Sequence, residues 1–206
     1  MRCCQEVRPE NAARSFRTPA PILRKPQVRR LLSDRPGARV LEVGAGCLRN
    51  ARFLLRRGFR VSVLEVPNIE TRFPREYEKF RAAGGAVHFT FPPSSTFDFV
   101  VATFVIETVC NRSGRHVLVR QIFDSLADHG CLITSVRGPA DVVTAQATGV
   151  RCGDGYVTPN HTFVRSFSRA QLRSFLAGAG FQRLDFLHAP ATVAPELLHA
   201  IAWKQQ

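Results

Sequence analysis

Hydrophobic positions along the chain follow two alternating patterns. ARVLEVGAG, residues 38–46, is an apolar run with a glycine stop and predicts a buried strand. In residues 47–57, Leu48, Ala51, Leu54 and Leu55 share one helical face, and Gly58 fits a C-terminal stop. RVSVLEV, 60–66, predicts a second strand. Residues 74–83 predict a helix with Pro74 in its first turn and Tyr77 and Phe80 on one face. AVHFTF, 86–91, is a third strand halted by Pro92-Pro93, and FDFVVATFV, 97–105, a fourth. A helix over 115–127 runs through Leu118, Ile122 and Leu126, and GCLITSV, 130–136, is a fifth strand. Ser168 and Gln171 stand at capping-box spacing ahead of Leu172, Phe175 and Leu176. Residues 181–187 and 197–203 supply two last strands. The alternation predicts a doubly wound α/β domain: a mostly parallel seven-stranded sheet, the last strand antiparallel, with helices on both faces.

Two stretches stand outside the alternation. Residues 1–25 are rich in Arg and Pro without a period and predict a flexible or draped arm; Val28, Leu31 and Leu32 then give a short helical pattern before Pro36-Gly37. The longest irregular stretch, 138–166, follows the C-terminal end of a strand, where such sheets bind ligands. The expected organisation is a basic arm or lid over residues 1–30 and one domain over 31–206, with 138–166 on the substrate side.

A chain of 206 residues suits one sizeable core. No apolar run approaches the roughly 18 residues of a membrane span, and the charged start MRCCQEVRPE is not followed by an apolar stretch. The expectation is a soluble cytoplasmic protein that engages no membrane. Six cysteines, at 3, 4, 47, 110, 131 and 152, lack C-x-x-C spacing. They read as free thiols in a reducing compartment, with no metal site expected. The net charge of +13 is uneven: residues 1–60 carry +11 and residues 61–206 carry +2. Such an arm attracts an anionic partner, although 26 arginines against 3 lysines is also a bias that GC-rich coding produces.

Chemistry concentrates in LEVGAGCLRNARFLLRRGFRVSVLEV, residues 41–66. Gly44 and Gly46 let the backbone turn tightly and approach a ligand, and the following helix offers free N–H groups. Glu65 closes the second strand, where a carboxylate can accept hydrogen bonds from both hydroxyls of a ribose. Dinucleotide sites want a third glycine where Arg49 stands. Glu42, just before the loop, suits a cationic amino-acid moiety better than a phosphate. These features favour S-adenosylmethionine over nicotinamide or flavin; a fold that has lost binding is the remaining alternative.

Over residues 38–206 the chain resembles the class I S-adenosylmethionine-dependent methyltransferases. GAGCLRNA, 44–51, is similar to the glycine loop of the tellurite-resistance and thiopurine methyltransferase-like group, departing at Leu48, where that group usually has a third glycine. The resemblance implies a Rossmann-like methyltransferase fold and a donor site of Glu42, Gly44, Ala45, Gly46, Asn50, Glu65 and Val66. It also places Thr103 and Phe104 near the methionine end. The third-strand acidic residue of that superfamily has no clear counterpart; Phe91 could stack on the adenine or be a core aromatic.

Methyl transfer is displacement at an activated sulfonium carbon, so the protein mainly aligns donor and acceptor. His161 is the first candidate base, with Tyr156 and Asp141 behind it in the same loop and Glu107 after the fourth strand. The other histidines read as structural. No [DNS]-P-P-[YFW] follows the fourth strand, no Pro-Cys pair is present, and three lysines make a two-lysine ribose site a poor fit. The expected acceptor is a small molecule. RNA or DNA engaged by FRTPAPILRKPQVRR, 16–30, is the alternative, and a binding module without turnover is a third reading.

Overall fold

The computed structural model describes residues 2–8, 18–92, 97–187 and 197–204. His188, Pro93 and residues 9–17 of the arm lie outside them. Helices α1 (Pro21–Arg24) and α2 (Pro26–Ser33) lead into β1 (Arg39–Val43), α3 (Arg49–Leu55) and β2 (Arg60–Leu64). Next come α4 (Pro67–Arg72), α5 (Pro74–Ala82), β3 (Ala86–His88), β4 (Phe97–Thr103), α6 (Arg112–Ser125) and β5 (Leu126–Arg137). The last third holds α7 (Val143–Thr148), β6 (Val150–Cys152), β7 (Gly155–Val157), β8 (Phe163–Val164), α8 (Arg169–Ala177), β9 (Arg183–Phe186) and β10 (Leu197–Trp203).

Seven strands form one sheet in the order β3-β2-β1-β4-β5-β10-β9, as the alternation predicts. β10 runs antiparallel to both its neighbours, and the pairs from β3 to β5 are parallel. Side chains of one strand alternate between two helix layers. Val40, Val61, Val63, Phe99 and Val101 pack on one face with Leu32, Leu54, Tyr77 and Phe80. Leu41, Val43, Val100 and Ala102 pack on the other with Val119, Ile122, Leu172 and Leu176. Burial on both faces is why these strands read as continuous apolar runs. The predicted capping box forms: Ser168 Oγ accepts from Gln171 N at 3.1 Å, and Gln171 Oε1 accepts from Ser168 N at 2.9 Å.

Several expectations need correction. The stretch 138–166 is not irregular: it carries a 3-10 turn, α7 and a three-stranded antiparallel sheet β6-β7-β8. Strands of two or three residues are too short to show a period. The arm is draped from residue 18 onward rather than flexible, since Ala20, Ile22 and Leu23 are fully buried. The third strand stops at His88. α6 starts at Arg112, because Asn111 caps it by accepting from Ser113 N, and gives way at Leu126, which pairs with Phe97 of β4.

Cysteines give the largest correction. Cys4 and Cys110 form a disulfide across 106 residues of sequence, Cys152 is disulfide-bonded too, and Cys47 and Cys131 are free. Spacing rules detect partners close in sequence. Here the N-terminal 3-10 turn, Arg2–Glu6, lies against the loop after β4, and no local motif marks that approach.

Candidate active site

The parallel register brings the ends of four strands to one edge. Val43 is level with Leu64 and Ala102, and Thr103 with Ser135. The turns after β1, β2, β4 and β5 therefore leave side by side, the position where open α/β sheets take ligands. They surround a cavity of about 1070 Å³. Pockets for small ligands run to roughly 1,000 Å³, so this one has room for a donor and an acceptor.

All ten expected donor residues line it. Glu42, Gly44, Ala45, Gly46 and Asn50 form the floor, Glu65 and Val66 one side, and Phe91, Thr103 and Phe104 the other. Glu65 is braced by backbone: Oε2 accepts from Gly46 N at 2.7 Å and Oε1 from Val66 N at 2.9 Å. Each oxygen keeps a lone pair for a ribose hydroxyl. Burial raises its pKa, and the two amide donors partly offset that. Tyr77 adds a support that sequence reasoning placed only in the core: its hydroxyl donates to Gly46 O at 3.0 Å.

Behind this rim sits a buried polar hub. Asn50 Nδ2 donates to Glu42 Oε1 at 2.8 Å and to Thr103 Oγ1 at 3.1 Å, while its Oδ1 accepts from Ala20 N at 2.7 Å. Glu42 Oε2 is buried without a partner, and burial pushes the Glu42 carboxyl up to about 8. An unpartnered carboxylate oxygen on the wall of this cavity fits the ammonium of a methionine moiety. Phe91 packs against the apolar cluster that includes α6 and also lines the cavity. Phe104 holds a left-handed backbone, φ 61°, an uncommon conformation that collects at functional sites.

The three catalytic candidates His161, Tyr156 and Glu107 do not meet here. His161 is exposed at the turn between β7 and β8, where its carbonyl accepts from Arg8 N at 2.7 Å. Tyr156 lies within the small sheet opposite Arg151 and Val164. Neither lines the cavity. Glu107 is fully buried beneath the wall, accepting from Arg137 N at 3.2 Å, and burial pushes its carboxyl up to about 7. It holds the backbone of Arg137 and does not itself line the cavity. Other polar groups in the wall include Arg137 and Asp141, which pair with each other, together with Thr108, Asn111 and Gln121. Of these, sequence reasoning singled out only Asp141, because loop positions carry no period to reveal which way they face.

A family profile described as a methyltransferase domain matches residues 16–185. The chain belongs to that methyltransferase family. No curated protein matches it. Solved structures share its fold at low identity. The 1,6-didemethyltoxoflavin-N1-methyltransferase of Burkholderia thailandensis, with bound 1,6-didemethyltoxoflavin and S-adenosylhomocysteine, superposes with a TM-score of 0.66 at 20% identity, over 87% of this chain and 76% of that one. The CcbJ methyltransferase from Streptomyces caelestis gives 0.66 at 15%, over 85% and 88%. An S-adenosylmethionine-dependent methyltransferase from Methanosarcina mazei gives 0.64 at 15%, over 87% and 97%. Fold and family are thus those of the S-adenosylmethionine-dependent methyltransferases. The donor's sulfonium supplies the activated methyl group; this methyltransferase supplies the cradle.

Two expectations follow from the cradle. Glu65→Ala should weaken S-adenosylhomocysteine binding by about 1.5–3 kcal/mol, since charge-assisted bonds to the ribose are lost and Gly46 N–H loses its anchor. Calorimetry returning unchanged affinity would remove Glu65 from the donor site. The second concerns pH. The folded state holds Glu42 and Glu107 neutral, while unfolded carboxyls ionise near 4.5. The stabilisation from the neutral forms is complete below pH 4.5 and lost as pH rises through about 7 for Glu107 and about 8 for Glu42. The Tm of the donor-free protein should fall across this range. Glu42→Gln should flatten the upper part of the fall and Glu107→Gln the lower. A Tm that rises with pH would contradict both assignments.

Proposed function

We propose that this methyltransferase moves the methyl group of S-adenosylmethionine to a small-molecule acceptor. The observation that carries the reading is the cover on the cavity. Cys4, Val7, Thr18, Pro19, Pro21 and Arg24, all from the N-terminal segment, stand in its wall. A cavity roofed by the chain's own segment suits a molecule that fits inside it, and the apolar TPAPIL, 18–23, supports a lid role for the arm. The Burkholderia enzyme, which binds 1,6-didemethyltoxoflavin together with S-adenosylhomocysteine, supports the same reading. The decisive test is transfer of labelled methyl to a panel of small nitrogen, oxygen and sulfur acceptors, set against RNA and DNA. Label appearing in nucleic acid alone would reject the proposal.

The nucleic-acid reading keeps one observation in its favour. Arg29 and Arg30 of α2, Arg52 of α3, and Arg56 and Arg57 in the turn after α3 are exposed on one sheet face. A shift assay across a salt series separates the two, since phosphate contacts give binding that falls steeply with salt.

Asp141 replaces His161 as the group best placed to take a proton. For an oxygen acceptor, Asp141→Asn should lower turnover by about tenfold or more with donor affinity unchanged. His161→Ala should leave turnover nearly untouched. The opposite ranking would return the base to the β7–β8 turn.

A further inference from the structure

Two distant pieces of the cavity wall are joined by a covalent bond that a reductant can undo. Cys4, in the N-terminal 3-10 turn Arg2–Glu6, is bonded to Cys110 in the loop before α6, and both residues line the cavity. Cys152, at the end of β6, lies directly behind them. Its Sγ, itself disulfide-bonded, is 3.5 Å from Cys110 Sγ and 3.9 Å from Cys4 Sγ. The Cys4–Cys110 bond is thus met from the cavity side, whereas Cys152 is buried.

The two ends of this bond are held very differently. On the body side, Arg115 is fully buried and donates to the carbonyls of Val109 at 2.6 Å and Cys110 at 3.1 Å. It also donates to Asp154, two residues past Cys152, at 2.5 Å, and Arg165 pairs with the same carboxylate. Cys110 and Cys152 therefore keep their places whatever the state of the sulfurs. On the other side is a strap, residues 2–8. Among the described residues it is fastened by the Cys4–Cys110 bond and by packing of Cys4 and Val7 with Cys152, Val157 and Phe163. One backbone bond, from Arg8 N to His161 O at 2.7 Å, completes the attachment. This small cluster is separate from the two that flank the seven-stranded sheet, so opening it leaves the main core intact. From residue 18 onward the arm has its own anchors: Ala20, Ile22 and Leu23 are fully buried, and Ala20 N donates to Asn50 Oδ1. What a reduced bond sets free is therefore the strap, and with it Cys4 and Val7 of the cavity roof.

We propose that the Cys4–Cys110 disulfide, with the Cys152 disulfide behind it, is a redox-sensitive clasp on the donor cavity. Oxidised, it holds the strap across the cavity and slows exchange of the donor. Reduced by a dithiol, it releases the strap and exchange accelerates. Packing of two apolar side chains and one backbone hydrogen bond opens readily by local unfolding, and a covalent bond across the same contact suppresses those openings. The chemistry balances with the dithiol as reductant. At each opening one S–S bond breaks, the two cysteine sulfurs take up two electrons and two protons, and the dithiol closes to its own disulfide. Closing passes the same electrons and protons to a small disulfide, which leaves as two thiols. The gating of exchange rests on the reading of this cavity as the donor's; the clasp itself does not.

The test compares the full wild-type chain oxidised, reduced with dithiothreitol, and reoxidised with oxidised glutathione. Amide exchange of a peptide covering residues 2–8, followed by mass spectrometry without ligand, should be about tenfold or more faster in the reduced chain and slow again after reoxidation. Peptides from β1 and β4 should not change. Release of labelled S-adenosylhomocysteine into excess unlabelled ligand should likewise accelerate about tenfold or more on reduction and recover on reoxidation. In Cys110→Ser/Cys152→Ser, release should be fast under both conditions. Unchanged exchange at residues 2–8 would overturn the clasp. So would faster exchange in β1 and β4, which would make the disulfides a staple of the whole fold. A freed strap with unchanged ligand release, or slow release from the double variant, would overturn the gate. A chain that binds no S-adenosylhomocysteine in either redox form would reject the donor reading and the gate together, while exchange at residues 2–8 still decides the clasp.

Discussion

Asn50→Ala should destabilise the domain by about 3–5 kcal/mol, the largest loss expected from any single side chain at the site. Asn50 is buried and serves three partners at once: Ala20 N, Glu42 Oε1 and Thr103 Oγ1. Truncation leaves an orphaned N–H on the arm and takes from the buried Glu42 carboxyl its side-chain donor. Each unsatisfied buried group costs about 1–3 kcal/mol, and Glu42 has one oxygen unpartnered already. The arm should also loosen, because Ala20 is its hydrogen-bonded tie to α3. Denaturant unfolding measures the first effect, and proteolysis near residue 20 the second. Asn50→Asp sharpens the test. It preserves volume and the acceptor for Ala20 N but removes the Nδ2 donor to Thr103 and leaves Glu42 to supply the proton of the pair. If Asn50 merely filled space, Asp would be tolerated at any pH; in the hub it should be tolerated only while Glu42 keeps its proton, and its stability should fall as pH rises through about 8.

Gly44→Val should lower donor affinity by more than about 100-fold, equivalent to about 2.7 kcal/mol. Gly44 has φ +68°, where a β-branched residue is strained, and an added Cβ would lie 2.4 Å from Val105 Cγ2. From the glycine pattern alone, one expects the new side chain to enter donor space. Its first collision is instead with the loop after β4, immediately beside Thr103 and Phe104. The damage should therefore travel through that loop. Gly44→Ala combined with Val105→Ala should recover part of the affinity that Gly44→Ala loses, with calorimetry as the readout. Normal donor binding by Gly44→Val would show that the glycine loop does not hold the donor.

What the chain discloses before folding depends on how local the cause is. The central strands were legible because burial on both faces demands uninterrupted apolar runs such as VLEV and FVVA. The glycine loop was legible because a backbone with positive φ at two positions, 44 and 46, demands glycine. Ser168 and Gln171 announced α8 because a capping box is closed within four residues. Other features depend on chain segments far apart. Nothing near Asn50 signals that it will meet Ala20 and Thr103, and nothing near Cys4 signals Cys110. Tyr77 was read for its helical face, while its hydroxyl bond to Gly46 is set by how α5 lies on the sheet. α4 and α7, six residues each, are below the length at which a helical period shows. The acceptor side failed for the same reason, because loop side chains face wherever distant contacts send them.

Leu48 departs from the glycine expected at its position, and the structure gives the departure a meaning. It keeps the left-handed backbone, φ 64°, at the head of α3, and its side chain is fully buried. A glycine there would let the loop sample many shapes, and each arriving donor would have to select one. Leucine, packed in the core, anchors the loop in one shape as the chain folds, so the ordering entropy is settled before any ligand appears. The donor should accordingly meet a rigid cradle. Amide exchange at residues 44–50 should already be slow in the empty protein, and donor capture should be limited by access past the arm rather than by assembly of the loop.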